Sequence, residues 1–338
     1  MLVSADEARE ICRLALALHG VPQEHASIQV ELLVEAELMG HPSHGVQRLP
    51  RLIERIGNGV LDPAAAGLHE WRTPSFLRVD GQMGLGPVVM LKALDEAARR
   101  TPQAGVILGA IRNSNHIGML SWYVRHFARK GFIGIAMTTS EALVHPLGGR
   151  SAMMGTNPIA IGIPSTPEPF VLDMASGIVS MGKIHEHAAR GAPIPEHWAL
   201  DAAGNPTTNA EAAKHGAIAP FGGGKGYGLG LAIEILVAGL AGAALGTDVK
   251  GTLDSDHVCN KGDVFILIDP SQVTTQGISA YLDAIRSTAP IDPDRPVLVP
   301  GDRAVRARSE REAAGISVNP DVWRRITAYA NAHEGSQP

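Results

Sequence analysis

The chain has 338 residues, of which 45% are hydrophobic and 19% charged, as expected for a globular protein with a substantial core. Its formal charge of −5 and its 4% aromatic residues argue against partners such as nucleic acid or an anionic membrane surface. Two cysteines, Cys12 and Cys259, lack paired-ligand spacing and argue against disulfides and a thiolate zinc site. With no visible signal peptide, we expect a cytoplasmic protein.

The first sixty residues predict a small helical unit. A Ser–x–x–Glu capping box begins a helix over residues 4–19, and apolar residues at helical spacing predict a second over 22–40. A third helix is predicted over 43–57, with Ser43 as its N-cap.

His44 and Arg48 are the most informative residues of this unit. On the predicted third helix, residues four apart share a face, which puts an imidazole beside a guanidinium at the positive end of the helix. Arg48 could hold a planar carboxylate while His44 exchanges a proton on the oxygen of the adjacent carbon. This arrangement predicts a site for a 2-oxo or 2-hydroxy acid. The alternative is a turn whose two polar side chains face water.

Beyond residue 72, strands and helices alternate along the chain, which indicates an α/β fold. Strands are predicted over 76–79, 105–111, 132–139, 159–163, 170–173 and 264–268, and helices over 87–99, 120–130 and from 300 onward. The nearly all-apolar stretch 227–246 has the length of a membrane span. It lacks basic flanks and carries Glu234, so we predict a buried helix packed through its small residues.

Three more polar residues stand where a ligand could bind. His116 follows a predicted strand and precedes a helix, a usual ligand position in α/β sheets, although it could only cap that helix. Asp173 ends a strand and could orient an imidazole, bind a ribose hydroxyl or cap the next helix. Lys225 lies in a glycine loop at a helix N-terminus and could cradle an anion. The loop does not fit the phosphate-loop pattern, and no Rossmann fingerprint is present.

The 14 histidines raise the question of a metal-dependent hydrolase. His185-Glu186-His187 resembles the start of a zincin motif, but Ala189 occupies the second histidine position. We therefore predict no metal site and keep the hydrolase as a distant alternative. A non-catalytic assembly protein is a third hypothesis.

Six motifs in this order resemble the malate/L-lactate dehydrogenase family, over nearly the whole chain. They are Ser43-His44-Gly45 with Arg48, Asn115-His116 with Gly118, Gly155-Thr156-Asn157-Pro158, Asp173-Met174-Ala175-Ser176, Lys225-Gly226 and Pro300-Gly301-Asp302. This non-Rossmann group includes ureidoglycolate, sulfolactate, 2,3-diketo-L-gulonate and piperideine-2-carboxylate enzymes. The resemblance implies an NAD(P)-dependent oxidoreductase that transfers a hydride to or from C2 of a small 2-oxo or 2-hydroxy acid. A cyclic imine carboxylate is the alternative substrate.

The resemblance also implies roles for individual residues. His44 or His116 would exchange the proton. Ser43, Arg48 and Asn157 would contact the substrate, with Arg48 on its carboxylate. The cofactor would be held by Ser140, Asp173, Met174, Ala175, Lys225, Gly301, Asp302 and Arg303. We expect NAD or NADP, with NAD favoured.

The same resemblance implies a domain organisation and an assembly. Residues 1–72 would form a helical substrate-side domain joined by the tail 296–338, and residues 73–295 a non-Rossmann α/β cofactor-binding domain with a mixed sheet. We expect a homodimer with active sites between subunits, and no nucleic-acid or membrane partner.

Overall fold

The structure is a computed structural model that describes residues 1–272 and 277–331. Its helices are α1 (Ala5–Leu18), α2 (Gln23–Leu38), α3 (Leu49–Gly57), α4 (Gly86–Ala104), α5 (Leu120–Arg129), α6 (Met181–Ala189), α7 (Ala210–Ala213), α8 (Gly224–Ala241), α9 (Ile278–Arg286), α10 (Asp302–Ala314) and α11 (Pro320–Ala330). Its strands are β1 (Leu2–Val3), β2 (Leu68–Thr73), β3 (Phe76–Asp80), β4 (Val106–Arg112), β5 (Ile133–Thr138), β6 (Ile159–Ile163), β7 (Phe170–Met174), β8 (Ala199–Leu200), β9 (Ala217–Ile218), β10 (Gly262–Ile268) and β11 (Ile316–Ser317).

The N-terminal helices form one unit with the end of the chain. α1 begins as predicted, because the Ser4 side chain accepts a hydrogen bond from the Glu7 amide. α11 packs on α1 and α3, α10 packs on α2, and β1 pairs with β11. The Arg308 guanidinium ties α10 to α2 through hydrogen bonds to the Glu35 carboxylate. Residues 332–338 of the predicted tail lie outside the described residues.

The predicted third helix is wrong in its start. Residues 42–44 and 46–48 form two separate 3₁₀ turns, and the α-helix α3 begins only at Leu49. Gly45 between the turns is extended, and Pro50 has no amide hydrogen to continue an α-helix back to Val46. Ser43 is therefore not an N-cap, and His44 and Arg48 do not share a helix face.

A seven-stranded mixed sheet forms the centre of the molecule, as the predicted fold class requires. Its order is β2-β3-β4-β10-β5-β6-β7, and only β3 and β4 pair in parallel, joined by α4. α4 and α5 cover one face and α8 the other, so side chains alternate along β10 between the two cores. β2 straddles the predicted boundary at residue 72, so the division into domains stays a prediction.

α8 is buried on one side only. Ile233 and Val237 pack on the sheet, and Gly230 approaches Ser176 too closely to admit a Cβ atom. The opposite side exposes Leu229, Leu231, Ile235 and Leu236, with Ile235 58% exposed. The prediction of a buried helix is thus wrong for the outer face. Among the described residues only this helix is long and apolar enough to cross a membrane, a test that core helices also pass.

Candidate active site

The turn that carries His44 is built on a buried carboxylate. Glu37 on α2 accepts a hydrogen bond from the Val46 amide at 3.0 Å, and its side chain leaves no room for a Cβ atom at Gly45. Burial raises the pKa of Glu37 to about 7. Ser43 Oγ lies 3.0 Å from His44 Nδ1 and packs near Gly182 at the start of α6. The Ser-His-Gly motif thus fixes the imidazole through its neighbours on both sides.

Arg48 reaches His44 by folding back on the chain. Its Nε donates to the Ser43 carbonyl at 2.8 Å, and Nη1 donates to the Thr252 carbonyl at 3.3 Å. Nη2 makes no hydrogen bond within the described residues. Burial and the nearby charge of Arg51 lower the pKa of Arg48 to about 10, against the opposite effect of Glu141. One edge of a positively charged guanidinium is therefore available to a ligand.

His116 stands against His44. The two imidazole rings stack with their centroids 5.5 Å apart and an interplanar angle of 27°. The Gly118 amide donates to His116 Nδ1 at 3.1 Å, in a turn that Gly118 enters with φ +73°. The structure therefore brings together the three residues for which a catalytic role is predicted: His44, His116 and Arg48.

Both histidines are neutral at pH 7. Burial, followed by the charge of Arg48, lowers the pKa of His44 to about 3 and that of His116 well below its ordinary value. His116 also feels the charge of Lys261, which is 1% exposed and bonded to Asp263 and Ser114. The charge of this buried lysine thus helps to keep the His116 imidazole uncharged.

A small cavity opens beside this cluster. Arg48 and His116 line it together with Gln29, Leu32, Leu33, Arg51, Leu52, Arg55, Asn115, Gly118, Gly251 and Thr252. Gln29 is buried and its Oε1 accepts no hydrogen bond from a described residue. Glu141 holds the loop that contributes Thr252 to the cavity wall, since its Oε1 accepts hydrogen bonds from the amides of Thr252 and Leu253. The cavity combines apolar walls with convergent polar groups, as small-molecule sites do.

Ser140 and Asn157 both lie against Gly155. Ser140 Oγ accepts from the Thr156 amide at 3.1 Å, and the Asn157 side-chain nitrogen donates to Glu234 on α8 at 2.6 Å. Asn157 Oδ1 is buried and has no partner among the described residues. The structure places Asn157 with Ser140 rather than on the wall of the His116 cavity.

Asp173 ends β7 and holds the neighbouring helix. One of its carboxylate oxygens accepts from the Ser121 amide in the first turn of α5 at 2.8 Å, so it caps this helix rather than the next one. Burial raises the pKa of Asp173, while hydrogen bonds from Ser121 and then the charge of His41 oppose the rise. Met174 and Ala175 follow it, and Ser176 donates to the Thr156 carbonyl. The strand end therefore lies next to the Ser140 cluster.

Two helix N-termini carry the remaining residues of the predicted cofactor set. Lys225 lies in the first turn of α8 and Arg303 in that of α10; both are exposed, and neither side chain has a hydrogen bond or ion pair within residues 1–272 and 277–331. Gly301 packs against Val171 of β7, and Asp302 is paired with Arg286. These features fit a nicotinamide cofactor with its diphosphate. Lys225 and Arg303 are cations at helix N-termini, where anions bind. Asn157 Oδ1 has no hydrogen-bond partner among the described residues, and Gly301 has no side chain to obstruct a ligand.

Comparison with known proteins covers nearly the whole chain. The family model for malate/L-lactate dehydrogenase matches residues 3–327. The chain belongs to the malate/L-lactate dehydrogenase family. A curated relative, the malate/(S)-sulfolactate dehydrogenase of Methanothermus fervidus, is 37% identical over 98% of both chains.

Solved structures agree with this membership and with the predicted fold class. A dehydrogenase from Sinorhizobium meliloti is 51% identical over 98% of both chains, with a TM-score of 0.95. The sulfolactate dehydrogenase from Methanocaldococcus jannaschii is 35% identical over 98% of this chain and 97% of its own, with a TM-score of 0.92.

The family membership confirms the predicted class of enzyme. The protein is a nicotinamide-dependent oxidoreductase that acts on CH–OH groups of small hydroxy acids. Names of relatives specify NAD⁺ in one case and NADP⁺ in another, at 30% and 31% identity. Among the described residues no three His, Cys, Asp or Glu side chains converge on a metal site, so the structure offers the hydrolase hypothesis no support.

Sequence reasoning did not single out the residues that build the rest of the cavity. Arg51 and Arg55 follow Arg48 at helical spacing, a signal that was available. Thr252 and the Lys261–Asp263 pair reach the site from positions more than two hundred residues along the chain from His44. No local sequence pattern predicts contacts between residues so far apart in the chain.

Proposed function

We propose that this dehydrogenase interconverts a small 2-hydroxy carboxylic acid and its 2-oxo form, with Arg48 holding the carboxylate. The supporting observation is that His116, which stacks on His44, lines one cavity together with Arg48, whose Nη2 makes no hydrogen bond within the described residues. A bound nicotinamide supplies or accepts the hydride at C2. The protein's own contribution is alignment, a proton partner and charge, because hydride transfer needs no activated nucleophile.

The hydrogen bonds of the two histidines support different roles for them. His116 Nδ1 accepts the Gly118 amide, so the ring proton of the neutral imidazole is on Nε2. In this tautomer His116 donates a hydrogen bond to the substrate oxygen but has no free lone pair to accept a proton. His44 Nδ1 can donate to Ser43 Oγ, which leaves Nε2 as the base. We therefore assign proton exchange to His44 and polarisation of the oxygen to His116.

The electrostatics of the site favour this division of roles. In the oxidation direction, neutral His44 takes the hydroxyl proton at Nε2 while His116 Nε2–H bonds the same oxygen. The substrate carboxylate, bound to Arg48, offsets the charge that lowers the pKa of His44. In the reduction direction His44 returns the proton.

The cofactor set stays a proposal in its details. Lys225 and Arg303 would bind phosphate oxygens together with the amides of α8 and α10, as exposed cations at helix N-termini do. Ser140 and the stretch Asp173, Met174, Ala175 would contact the remainder of the cofactor. The preference for NAD over NADP is part of this proposal.

The test is absorbance loss of NADH and of NADPH over a panel of 2-oxo acids and cyclic imine carboxylates. We expect turnover of at least one 2-oxo acid, and loss of that signal in His44→Ala and Arg48→Ala proteins that bind cofactor normally. Turnover of imines alone would replace the proposed substrate class by the alternative. Turnover that survives both substitutions would refute the site.

We further propose a homodimer whose subunits cover the exposed face of α8. Leu229, Ile235 and Leu236 form an apolar strip with no partner among the described residues. Ile235→Glu should lower the molar mass measured by light scattering from two chains to one, whereas Leu14→Glu on the exposed side of α1 should not. A monomeric native protein would refute the proposal.

A further inference from the structure

A lysine and an aspartate form an ion pair in the interior of the molecule. Lys261 directly precedes β10, the middle strand of the seven-stranded sheet, and Asp263 lies within that strand. Lys261 Nζ lies 2.6 and 2.5 Å from the two carboxylate oxygens of Asp263, and both side chains are buried. Because removing two charges from water can cost more than their attraction returns, such a pair is weak evidence for a stabilising role.

Ser114 connects this ion pair to the turn that carries His116. The Ser114 hydroxyl donates to Asp263 Oδ2 at 2.8 Å, and Lys261 Nζ donates to the same hydroxyl oxygen at 3.1 Å. Ser114 is fully buried and stands two residues before His116. From the neighbouring strand β5, the Thr138 hydroxyl donates to Asp263 Oδ1 at 2.6 Å. The pair therefore joins the His116 turn to the middle of the sheet.

The turn itself passes displacements on to His116. Asn115, between Ser114 and His116, donates from its Nδ2 to the Met83 carbonyl at 2.6 Å. A Cβ atom at Gly86 would collide with the carbonyl oxygens of Asn115 and His116, so α4 begins directly against this turn. Close-packed backbone of this kind transmits strain rather than absorbing it. A shift at Ser114 should therefore move the imidazole.

Lys261 also acts on His116 through its charge. Burial is the main cause of the low pKa of His116, and the neighbouring groups that lower it further are, in order, Arg48, His44, Lys261 and Arg51. Both arginines line the cavity, whereas Lys261 is already paired with Asp263. The effect of Lys261 on His116 therefore does not depend on a ligand.

We propose that Lys261 and Asp263 are positioning residues for His116, which through Ser114 hold the imidazole with its Nε2–H available to the substrate oxygen. The inference rests on the proposed function, in which His116 polarises that oxygen. Neither Lys261 nor Asp263 is among the described residues that line the cavity, so we expect neither to touch the substrate. Loss of the pair should slow the chemical step and leave cofactor binding intact.

The test replaces both members of the pair at once, as Lys261→Met with Asp263→Asn. Removing one charge alone would leave the other buried without a partner, which destabilises a fold whatever its function. In the double variant, the new amide can accept a hydrogen bond from Thr138 and donate one to Ser114, so each hydroxyl keeps a partner. The free energy of unfolding, measured with urea, should therefore stay close to the native value or rise.

The matched control removes another ion pair with a buried cation, as Arg125→Met with Glu168→Gln. Arg125 Nη1 donates to Glu168 Oε2 at 3.1 Å, and the arginine side chain is 4% exposed. Neither residue is among the described residues that line the cavity. A loss of activity that follows from a weakened fold alone would appear in this variant as well.

The expected result is a change at His116 without loss of cofactor binding. The double variant of Lys261 and Asp263 should lower kcat by about 10-fold or more, because a displaced hydrogen-bond donor stabilises the transition state less well. In ¹H–¹⁵N NMR spectra, with His116→Gln to identify the signals, the titration of His116 should move upward by about half a pH unit or more as a nearby positive charge is lost. Cofactor dissociation constants should agree, and the control should match the native protein in all three measurements.

The other outcomes are distinguishable. A folded double variant with native kcat and native His116 signals, or an equal loss in the control, would overturn the inference. Movement of the His116 signals with unchanged kcat would keep the hold of the pair on His116 and refute the role of His116 in the proposed function. If the native protein turns over no substrate, the NMR titration alone decides.

A second variant tests the link if the double variant does not fold. Ser114→Ala removes the hydroxyl that joins the pair to the turn and leaves the contact between Lys261 and Asp263 in place. The His116 signals should move in this variant. Signals that stay at their native positions would overturn the inference.

Discussion

The substrate cavity and the cofactor side hold their positive charge differently. Around the cavity, burial and then the charge of Arg51 lower the pKa of Arg48 and of Arg55, and Arg48 and Arg55 are anchored to backbone carbonyls. On the cofactor side, Lys225 and Arg303 are exposed and stand at the starts of different helices. The substrate cavity is therefore surrounded by a cluster of partly buried positive charges, whereas the cofactor side carries separate charges on the surface.

This difference suggests that the two regions contribute differently to substrate selection and to cofactor binding. Charges that are held close together away from bulk water interact strongly. They can therefore select a substrate and set the proton affinity of a neighbouring side chain. Exposed charges are screened by salt and contribute little each. Substitutions in the cavity should therefore have large, specific effects, and substitutions on the cofactor side small, additive ones.

The largest effect should separate His44 from His116. Glutamine keeps a hydrogen-bond donor but cannot exchange a proton. His44→Gln should therefore lower kcat by about 10²- to 10⁴-fold, the usual contribution of a general base. His116→Gln should retain clearly more activity than His116→Ala, because its amide can replace the Nε2–H donor. Steady-state turnover of the four proteins, with cofactor binding as the check on folding, measures this. The reverse order of the two glutamine variants would exchange the roles.

Arg48 should show the next largest effect. Loss of its charged hydrogen bonds should raise the KM of the acid by about 10- to 150-fold. The cofactor dissociation constant should hardly change, because the predicted cofactor residues lie outside this cavity. Arg48→Lys serves as a second variant, since it keeps the charge and loses the planar fork. Equal losses of substrate and cofactor affinity in Arg48→Ala would contradict the assignment.

The pH dependence should distinguish the two directions of the reaction. Free His44, with a pKa of about 3, is neutral from pH 5 to 9. Oxidation needs the neutral base, so kcat/KM for the hydroxy acid should stay level over this range. Reduction needs the protonated form, whose share falls about tenfold per pH unit above the pKa, so reductive kcat/KM should fall likewise. Initial rates at saturating cofactor test this. A reductive kcat/KM that stays level up to about pH 7 and falls only above it would disprove the low pKa of His44.

The helices and the core strands were predictable from the sequence because their signals are local. Helical spacing of apolar residues and the Ser4 cap located α1 and α2, and apolar runs located β6 and β10. The start of α3 was mispredicted because Ser43 looks like a cap, although Pro50 contradicts a continuous helix. The exposed face of α8 follows from layer order in the sheet, which no single segment encodes.

The candidate site was predictable only in part, for a similar reason. Motifs located His44, Arg48 and His116, and the fold joins them across more than seventy residues of sequence. Their chemistry depends on interactions that no motif predicts: that of the Gly118 amide, which fixes a tautomer of His116, and that of Lys261, whose charge lowers the pKa of His116 further, in addition to burial. Asn157, predicted to contact the substrate, donates a hydrogen bond to Glu234 on α8, and its contact with the substrate stays a prediction.

The smallest effect should come from Lys225, and it is the sharpest check on the contrast between the regions. As an exposed cation, it should contribute only about 1.5- to 5-fold to the dissociation constant of NADH or NADPH. The loss in Lys225→Ala should shrink further as salt is raised, because surface charges are screened. Lys250→Ala, which removes another exposed lysine, is the control. A loss of 100-fold or more that persists at high salt would mean that Lys225 becomes buried on binding, and the cofactor side would then resemble the cavity.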